Sequence, residues 1–325
     1  MPQSVLLFPG QGAQHVGMAQ DVAARYDAAE ETFLAASNAI GVDLRRLCFE
    51  GPEEELARTE LCQPAILTAS VAVLRAVEQA LGRPLPVAAA AGLSLGEYSA
   101  LVAAGSLELP DAVRLVRCRG AYMQEACEAR PGTMSSMLGL ADEQVECACR
   151  RIREEEGGEV WPANYNSPSQ VVISGERRAV ERASALCVEM GARRAVELKV
   201  AGAFHSPFMR PAAEKLAAEL ERTKFRTPAF PVIANTTARP VEGPEEIRLQ
   251  LTRQVDGPTR WAESMRWCIS EGCDTFLEIG PGLVLQGLLK RIDPKCRCLS
   301  IGTAAAVEGL VQATRAGNAA DSCGW

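Results

Sequence analysis

Ser94 lies in Gly92-Leu93-Ser94-Leu95-Gly96, a G-x-S-x-G pentad preceded by the apolar run 87–91 and followed by a stretch over 95–104 that reads as a helix. A strand that turns sharply into a helix exposes such a hydroxyl beside the electropositive helix N-terminus, where a serine can act as a nucleophile and carry an acyl group. Glycine and serine also build ordinary turns at such junctions, so the pentad alone leaves both readings open. A serine needs a base to become nucleophilic at neutral pH, and the chain has only His15 and His205. His15 follows the polar turn Pro9-Gly10-Gln11-Gly12-Ala13-Gln14 and is expected to be solvated. His205 lies in Val200-Ala201-Gly202-Ala203-Phe204-His205-Ser206-Pro207, between a predicted strand and a predicted helix, and is the leading base for Ser94. The Gln11 turn ends an apolar strand over 5–8 and offers backbone and amide donors for an oxyanion.

A third candidate is Arg119. Over 111–127 the apolar residues Ala112, Val116 and Met123 recur at helical spacing, with Asp111 expected as the N-cap after Pro110. At about 100° per residue Arg119 falls on that apolar stripe, whereas Arg114 and Arg117 point away. A guanidinium on the core side needs an anionic or hydrogen-bonding partner. That partner is either a carboxylate of the protein or the carboxylate of a substrate held by a bidentate clamp.

Phe8-Pro9-Gly10-Gln11-Gly12, Gly92-Leu93-Ser94-Leu95-Gly96-Glu97, Arg119-Gly120 with Met123-Gln124, Asn164-Tyr165-Asn166-Ser167-Pro168 through Gly175, Gly202-Ala203-Phe204-His205-Ser206, Gln254, and Glu278-Ile279-Gly280-Pro281-Gly282 follow one another along the chain. In content and order these blocks resemble the malonyl-CoA:acyl carrier protein transacylases, from about residue 5 to about residue 291. The resemblance implies ping-pong transfer of a malonyl group from malonyl-CoA to the phosphopantetheine thiol of acyl carrier protein, through a malonyl-serine, in fatty acid biosynthesis. It implies Ser94 as nucleophile, His205 as base, the N–H groups of Leu95 and Gln11 as oxyanion donors, and the main-chain carbonyl of Gln254 as the group that orients His205. Arg119 would pair with the malonyl carboxylate, with Phe204, Gln63 and Asn164 also at the substrate. Phe204 would crowd a 2-methyl branch. Arg193, Arg194, Lys290 and Arg291 would receive the acidic carrier protein. No metal and no resident cofactor is implied. Leu93 departs from the histidine that many members have there and resembles the plant and some bacterial members.

Two other classes share some of these features. A hydrolase of the α/β type uses the same pentad, but its histidine usually lies near the C-terminus, whereas a long stretch follows His205, and ester hydrolysis gives Arg119 no role. A catalytically idle carrier-binding module would not need Ser94, His205 and Arg119 together. A free-standing polyketide acyltransferase would use the same residues.

The elements that position these groups can be read from the pattern. Over 133–200 the order is strand 133–140, helix 142–155, strands 159–165 and 170–174, helix 177–190 and strand 194–200. This βαββαβ order is ferredoxin-like and marks residues 129–200 as a subdomain inserted into a discontinuous α/β hydrolase-like domain with a parallel sheet, formed by 1–128 and 201–325. Ser94 and His205 then meet at the cleft between the two. The tail 303–325 carries one weak helical pattern and is expected to fray at its end.

Composition narrows the class further. The chain has 325 residues, 47% of them hydrophobic, and a net charge of −7, which fits a large packed core and argues against nonspecific nucleic-acid binding. No apolar stretch is expected to reach the ~20 residues that span a bilayer, and a cytoplasmic enzyme is expected; a mature plastid or mitochondrial form would read the same. Twelve cysteines occur without a C-x-x-C. Cys147 and Cys149 fall on different sides of a predicted helix, and Cys296 and Cys298 have no further ligands nearby. Free buried thiols are therefore expected, not a metal site or disulfides.

Overall fold

A computed structural model describes residues 4–321. Its main sheet is parallel, with strands β1 (Ser4–Phe8), β2 (Ala89–Gly92), β7 (Val232–Ile233), β8 (Thr275–Ile279) and β9 (Arg297–Ile301) in the order β7-β2-β1-β8-β9. Successive side chains of a strand point to opposite faces. In β1, Leu6 and Phe8 pack into one apolar cluster, with the helices Thr59–Leu81 and Leu109–Ala129. Val5 and Leu7 pack into another, with Trp261, Met265, Leu285 and Leu289 of the helices Trp261–Ser270 and Val284–Ile292. The sheet is covered on both faces, as continuous apolar strands require.

The second sheet is antiparallel. Strands β3 (Thr133–Leu138), β4 (Val160–Ser167), β5 (Gln170–Gly175) and β6 (Arg194–Glu197) lie in the order β4-β5-β3-β6, with the helices Asp142–Glu156 and Arg177–Glu189 between them in sequence. One face of this sheet has its own core, in which Met137, Val171 and Ile173 meet Val145, Ile152, Val180 and Ala183. The other face sends Met134 and Val172 into the larger cluster. The backbone of β4 also bonds to the segment before the helix Trp261–Ser270: Tyr165 N–H donates to the Thr259 carbonyl and Thr259 N–H to that of Ala163, both at 2.9 Å.

Several local expectations are corrected. The Arg119 helix runs Leu109–Ala129 with Glu108 at its N-cap, so Asp111 is not the cap. Pro110 sits in the first turn, where its missing N–H costs nothing. Strand β6 stops at Glu197, short of Val200. The helix Thr59–Leu81 is, by length and composition, apolar enough to cross a membrane, contrary to expectation, but 89% of its apolar window is buried inside the fold. The described cysteines are free, and no group of metal-ligating side chains occurs among the described residues. The helix Ala304–Asp321 takes up most of the tail; the expected fraying lies at an end outside the described residues.

Gly120, next to Arg119, sets how closely two core helices approach. A Cβ there would stand 2.5 Å from the Thr59 carbonyl oxygen and 2.8 Å from the Glu60 Cα, and neither backbone atom can swing aside. Gly120→Ala should therefore destabilise the protein by about 2 kcal/mol or more, although alanine is the better helix former. Gly287, inside the helix Val284–Ile292, has nothing within 4 Å of such a Cβ. Gly287→Ala should stabilise by up to about 1 kcal/mol. Urea unfolding of the two variants against the parent would show the opposite signs.

Candidate active site

Three neighbouring parallel strands bring their C-terminal ends to one place, the usual position of a site on an open α/β sheet. β1 leads into Gly10-Gln11, β2 into Leu93-Ser94, and β7 into Ala234-Asn235. The pentad glycines allow the turn at Ser94. A Cβ on Gly92 would lie 1.9 Å from the Gly96 carbonyl carbon, and one on Gly96 would lie 2.1 Å from the Phe8 carbonyl oxygen. Between them Ser94 adopts φ 52°, a left-handed conformation that a non-glycine residue rarely takes. Asn235 fastens this strained turn. Its Oδ1 accepts the Ser94 N–H at 2.6 Å and its Nδ2 donates to the Gly92 carbonyl at 2.7 Å.

His205, 5% exposed and itself at φ 56°, reaches Ser94 from the loop after β6. Its Nδ1 lies 2.8 Å from the Gln254 carbonyl oxygen and its Nε2 lies 2.8 Å from Ser94 Oγ. A carbonyl only accepts, so the ring proton sits on Nδ1 and the lone pair of Nε2 faces the serine hydroxyl. Burial, helped by the positive charge of Arg119, lowers the His205 pKa to about 4. The imidazole is neutral at physiological pH and free to accept a proton.

Arg119 is 1% exposed. Nη1 donates to Gln63 Oε1 at 2.8 Å, and Nη2 donates to Ser94 Oγ at 2.9 Å and to Gln254 Oε1 at 3.1 Å. The guanidinium lies 5.8 Å from the ring centre of Tyr98. Its partners are neutral; among the described residues no carboxylate forms an ion pair with it. Its Nε, also buried, has no partner. A buried cation with a spare donor at the nucleophile is a site for an anion. Among the described residues no carboxylate bonds to Arg119 directly; the buried Glu97 acts on it from beyond the Gln254 amide.

These groups border a cavity of about 170 Å³ between the two sheets. Gln11, Ser94, Arg119, Phe204 and His205 line it from the parallel-sheet side, and Met134, Asn164, Val172 and Leu198 from the other. Asn164 donates to Thr259 Oγ1 at 2.6 Å. Gln63 and Gln254 are fully buried and do not line the cavity; Gln63, expected at the substrate, stands behind Arg119. Among the described residues the Gln11 and Leu95 N–H groups are donated to no protein acceptor. His15 is exposed. Arg193, Arg194, Lys290 and Arg291 are exposed; at one end of the small sheet Arg194 and Gln170 flank Leu138 in register, Arg193 N–H donates to the Leu138 carbonyl and Arg291 donates to Gln170. They lie outside the cavity lining.

Sequence reasoning missed Glu97 and Asn235. Glu97 is buried, and burial pushes its carboxyl up to about 7 against the pull of its hydrogen-bond donors and Arg119. The one signal was Glu97 itself, a charged residue on an otherwise apolar helix start; Asn235 reads as an ordinary turn residue.

A serine bonded to a neutral histidine, with unpaired backbone donors beside it and a buried guanidinium on its hydroxyl, has the parts that acyl transfer requires. Residues 5–312 match the family model described as acyl transferase domain. The chain is 47% identical over 292 residues to the malonyl CoA-acyl carrier protein transacylase of Escherichia coli K12, covering 90% of this chain and 93% of the relative. It is 41% identical to that of Bacillus subtilis, covering 98% and 99%. Among solved structures, an acyl carrier protein S-malonyltransferase from Vibrio cholerae superposes with a TM-score of 0.91 at 43% identity, covering 95% of this chain and 99% of that one. A malonyl-transacylase in complex with a type II polyketide synthase acyl carrier protein gives 0.90 at 44%, with the same coverage. The chain belongs to the malonyl-CoA:acyl carrier protein transacylase family.

The lowered His205 pKa predicts a pH profile. Protonation blocks the base, so kcat/KM for acylation of the free enzyme should stay level down through pH 6 and fall only as the pH approaches about 4. Stopped-flow measurement of CoA release against pH checks this; a limb near the ordinary histidine value of about 6.5 would mean a solvated imidazole.

Proposed function

We propose that the protein transfers the malonyl group of malonyl-CoA to the phosphopantetheine thiol of acyl carrier protein, in fatty acid biosynthesis, by a ping-pong mechanism. The observation that carries this reading is the buried Arg119, which touches Ser94 Oγ and keeps an unpartnered Nε. His205 Nε2 takes the Ser94 proton as Oγ attacks the thioester carbonyl. The N–H groups of Leu95 and Gln11 receive the oxyanion, and CoA leaves as the thiol after taking the proton from His205. The carrier thiol then attacks the malonyl-serine as His205 accepts its proton, the acyl C–Oγ bond breaks, and His205 returns the proton to Ser94 Oγ. Nucleophile, base and oxyanion donors are all supplied by the chain, so the reaction calls for no metal or resident cofactor. Arg119 holds the malonyl carboxylate in both half-reactions. Phe204, beside the base, narrows the room for a branched acyl chain. The bacterial relatives support a cytoplasmic setting.

The solved relative bound to a polyketide carrier favours a second destination for the same malonyl group. Transfer rates to fatty-acid and polyketide carriers would distinguish the two.

Intact-protein mass spectrometry after mixing with malonyl-CoA, acetyl-CoA and methylmalonyl-CoA tests the reaction and its acyl choice. Wild type should carry malonate and Ser94→Ala none; an adduct on Ser94→Ala would refute the assignment. Arg119→Ala leaves a buried carboxylate unpaired and should lower malonyl-CoA kcat/KM about 10²–10⁴-fold. Acetyl-CoA, with no carboxylate, should lose much less. An equal loss on both thioesters would make Arg119 a structural residue.

Carrier docking through Arg193, Arg194, Lys290 and Arg291 predicts a separate effect. Charge reversal at these positions should raise KM for acyl carrier protein, most at low salt, and leave the malonyl-CoA half-reaction nearly unchanged. Equal losses in both half-reactions would rule this surface out.

A further inference from the structure

Behind the reacting groups lies a polar cluster that the acyl-transfer steps do not use. Glu97, 2% exposed, sits in the first turn of the helix Gly96–Ala103. A single oxygen of it, Oε2, accepts the Asn235 N–H at 3.0 Å and Gln254 Nε2 at 2.7 Å. Gln254 Nε2 also donates to the Ser94 carbonyl at 3.0 Å. With its NH2 group committed on that side, the amide must present Oε1 to Arg119. The opposite rotamer would set two N–H donors against the guanidinium, itself only a donor. The acceptor oxygen of Glu97, at the shorter distance, and the Ser94 carbonyl together select which end of the Gln254 amide meets Arg119. Through Asn235 the same oxygen braces the residue that fastens the Ser94 turn.

We propose that Glu97 is a positioning residue for acyl selection: its Oε2 locks the Gln254 amide in the orientation that holds Arg119 for the substrate carboxylate. The proposal rests on the reading of Arg119 as a carboxylate clamp. What it requires at this point is a hydrogen-bond acceptor at the right depth, not a charge. The main-chain carbonyl of Gln254 that holds His205 is independent of this amide, so loss of the lock should act on the choice of acyl group more than on the attack itself.

Isosteric variants separate these roles. Glu97→Gln can place a carbonyl oxygen where Oε2 lies. Glu97→Met fills the same space without an acceptor, and Glu97→Asp keeps the charge but withdraws the acceptor by one methylene. Acylation kcat/KM is measured for malonyl-CoA and acetyl-CoA on each, with thermal melts. Glu97→Gln should keep the malonyl:acetyl ratio within about threefold of wild type, whereas Glu97→Met and Glu97→Asp should lower it about tenfold or more, through the malonyl rate. If Glu97→Met does not fold, the comparison of Asp with Gln decides. The proposal is overturned if Gln and Met behave alike, if Asp keeps the ratio, or if both thioesters fall together. A wild type without malonyl preference would defeat the clamp reading itself; a preference that survives in Glu97→Met or Glu97→Asp defeats only the role of Glu97.

Discussion

The buried guanidinium of Arg119 is the constraint around which the site is arranged. A cation in a low-dielectric interior is costly unless hydrogen bonds or an opposite charge offset the loss of water. Here neutral acceptors from Gln63, Gln254 and Ser94, with the ring of Tyr98 alongside, hold the group, and no carboxylate bonds to it among the described residues. Much of the neighbouring chemistry follows. The guanidinium charge adds to burial in keeping His205 deprotonated, the group places a donor on the nucleophile, and its buried Nε is left without a protein partner. Two helices must approach at Gly120 for the side chain to arrive there.

The two sheets divide the work. The parallel sheet carries the reacting groups on the ends of β1, β2 and β7, where strand order makes Gln11, Ser94 and Asn235 neighbours. The antiparallel sheet contributes the opposite wall of the cavity through Met134, Asn164 and Val172, while its other face keeps a separate core. Main-chain bonds between β4 and Thr259 tie that wall to the helix Trp261–Ser270.

Much of this was legible in the sequence because it is encoded locally. The pentad is a steric statement about one turn, and the helical period placed Arg119 on the buried stripe before any partner was known. With only two histidines, the choice of base was narrow. The βαββαβ order was readable because each element has its own apolar period. What could not be read depends on long-range pairing. Glu97 and Asn235 acquire meaning only when β7 is laid beside β2, and the place of Gln63 behind Arg119 is decided by helix packing. Pro110 misplaced a helix start because proline is tolerated inside a first turn as well as ahead of one. The helix Thr59–Leu81 is apolar because protein surrounds it, a circumstance that composition does not record.

Three of the groups assigned to bond making and breaking are main-chain atoms: the N–H of Gln11, the N–H of Leu95 and the carbonyl of Gln254. Point substitution cannot delete a backbone carbonyl, and only proline deletes a backbone N–H, so this part of the apparatus is inherited with the fold. The proposed recognition of the acyl group rests instead on side chains, those of Arg119, Gln254, Glu97 and Phe204. Gln254 stands at the boundary, its carbonyl serving the base and its amide serving selection. A change of acyl substrate in such a protein is therefore a matter of side-chain substitution, while the backbone donors and acceptor stay in place.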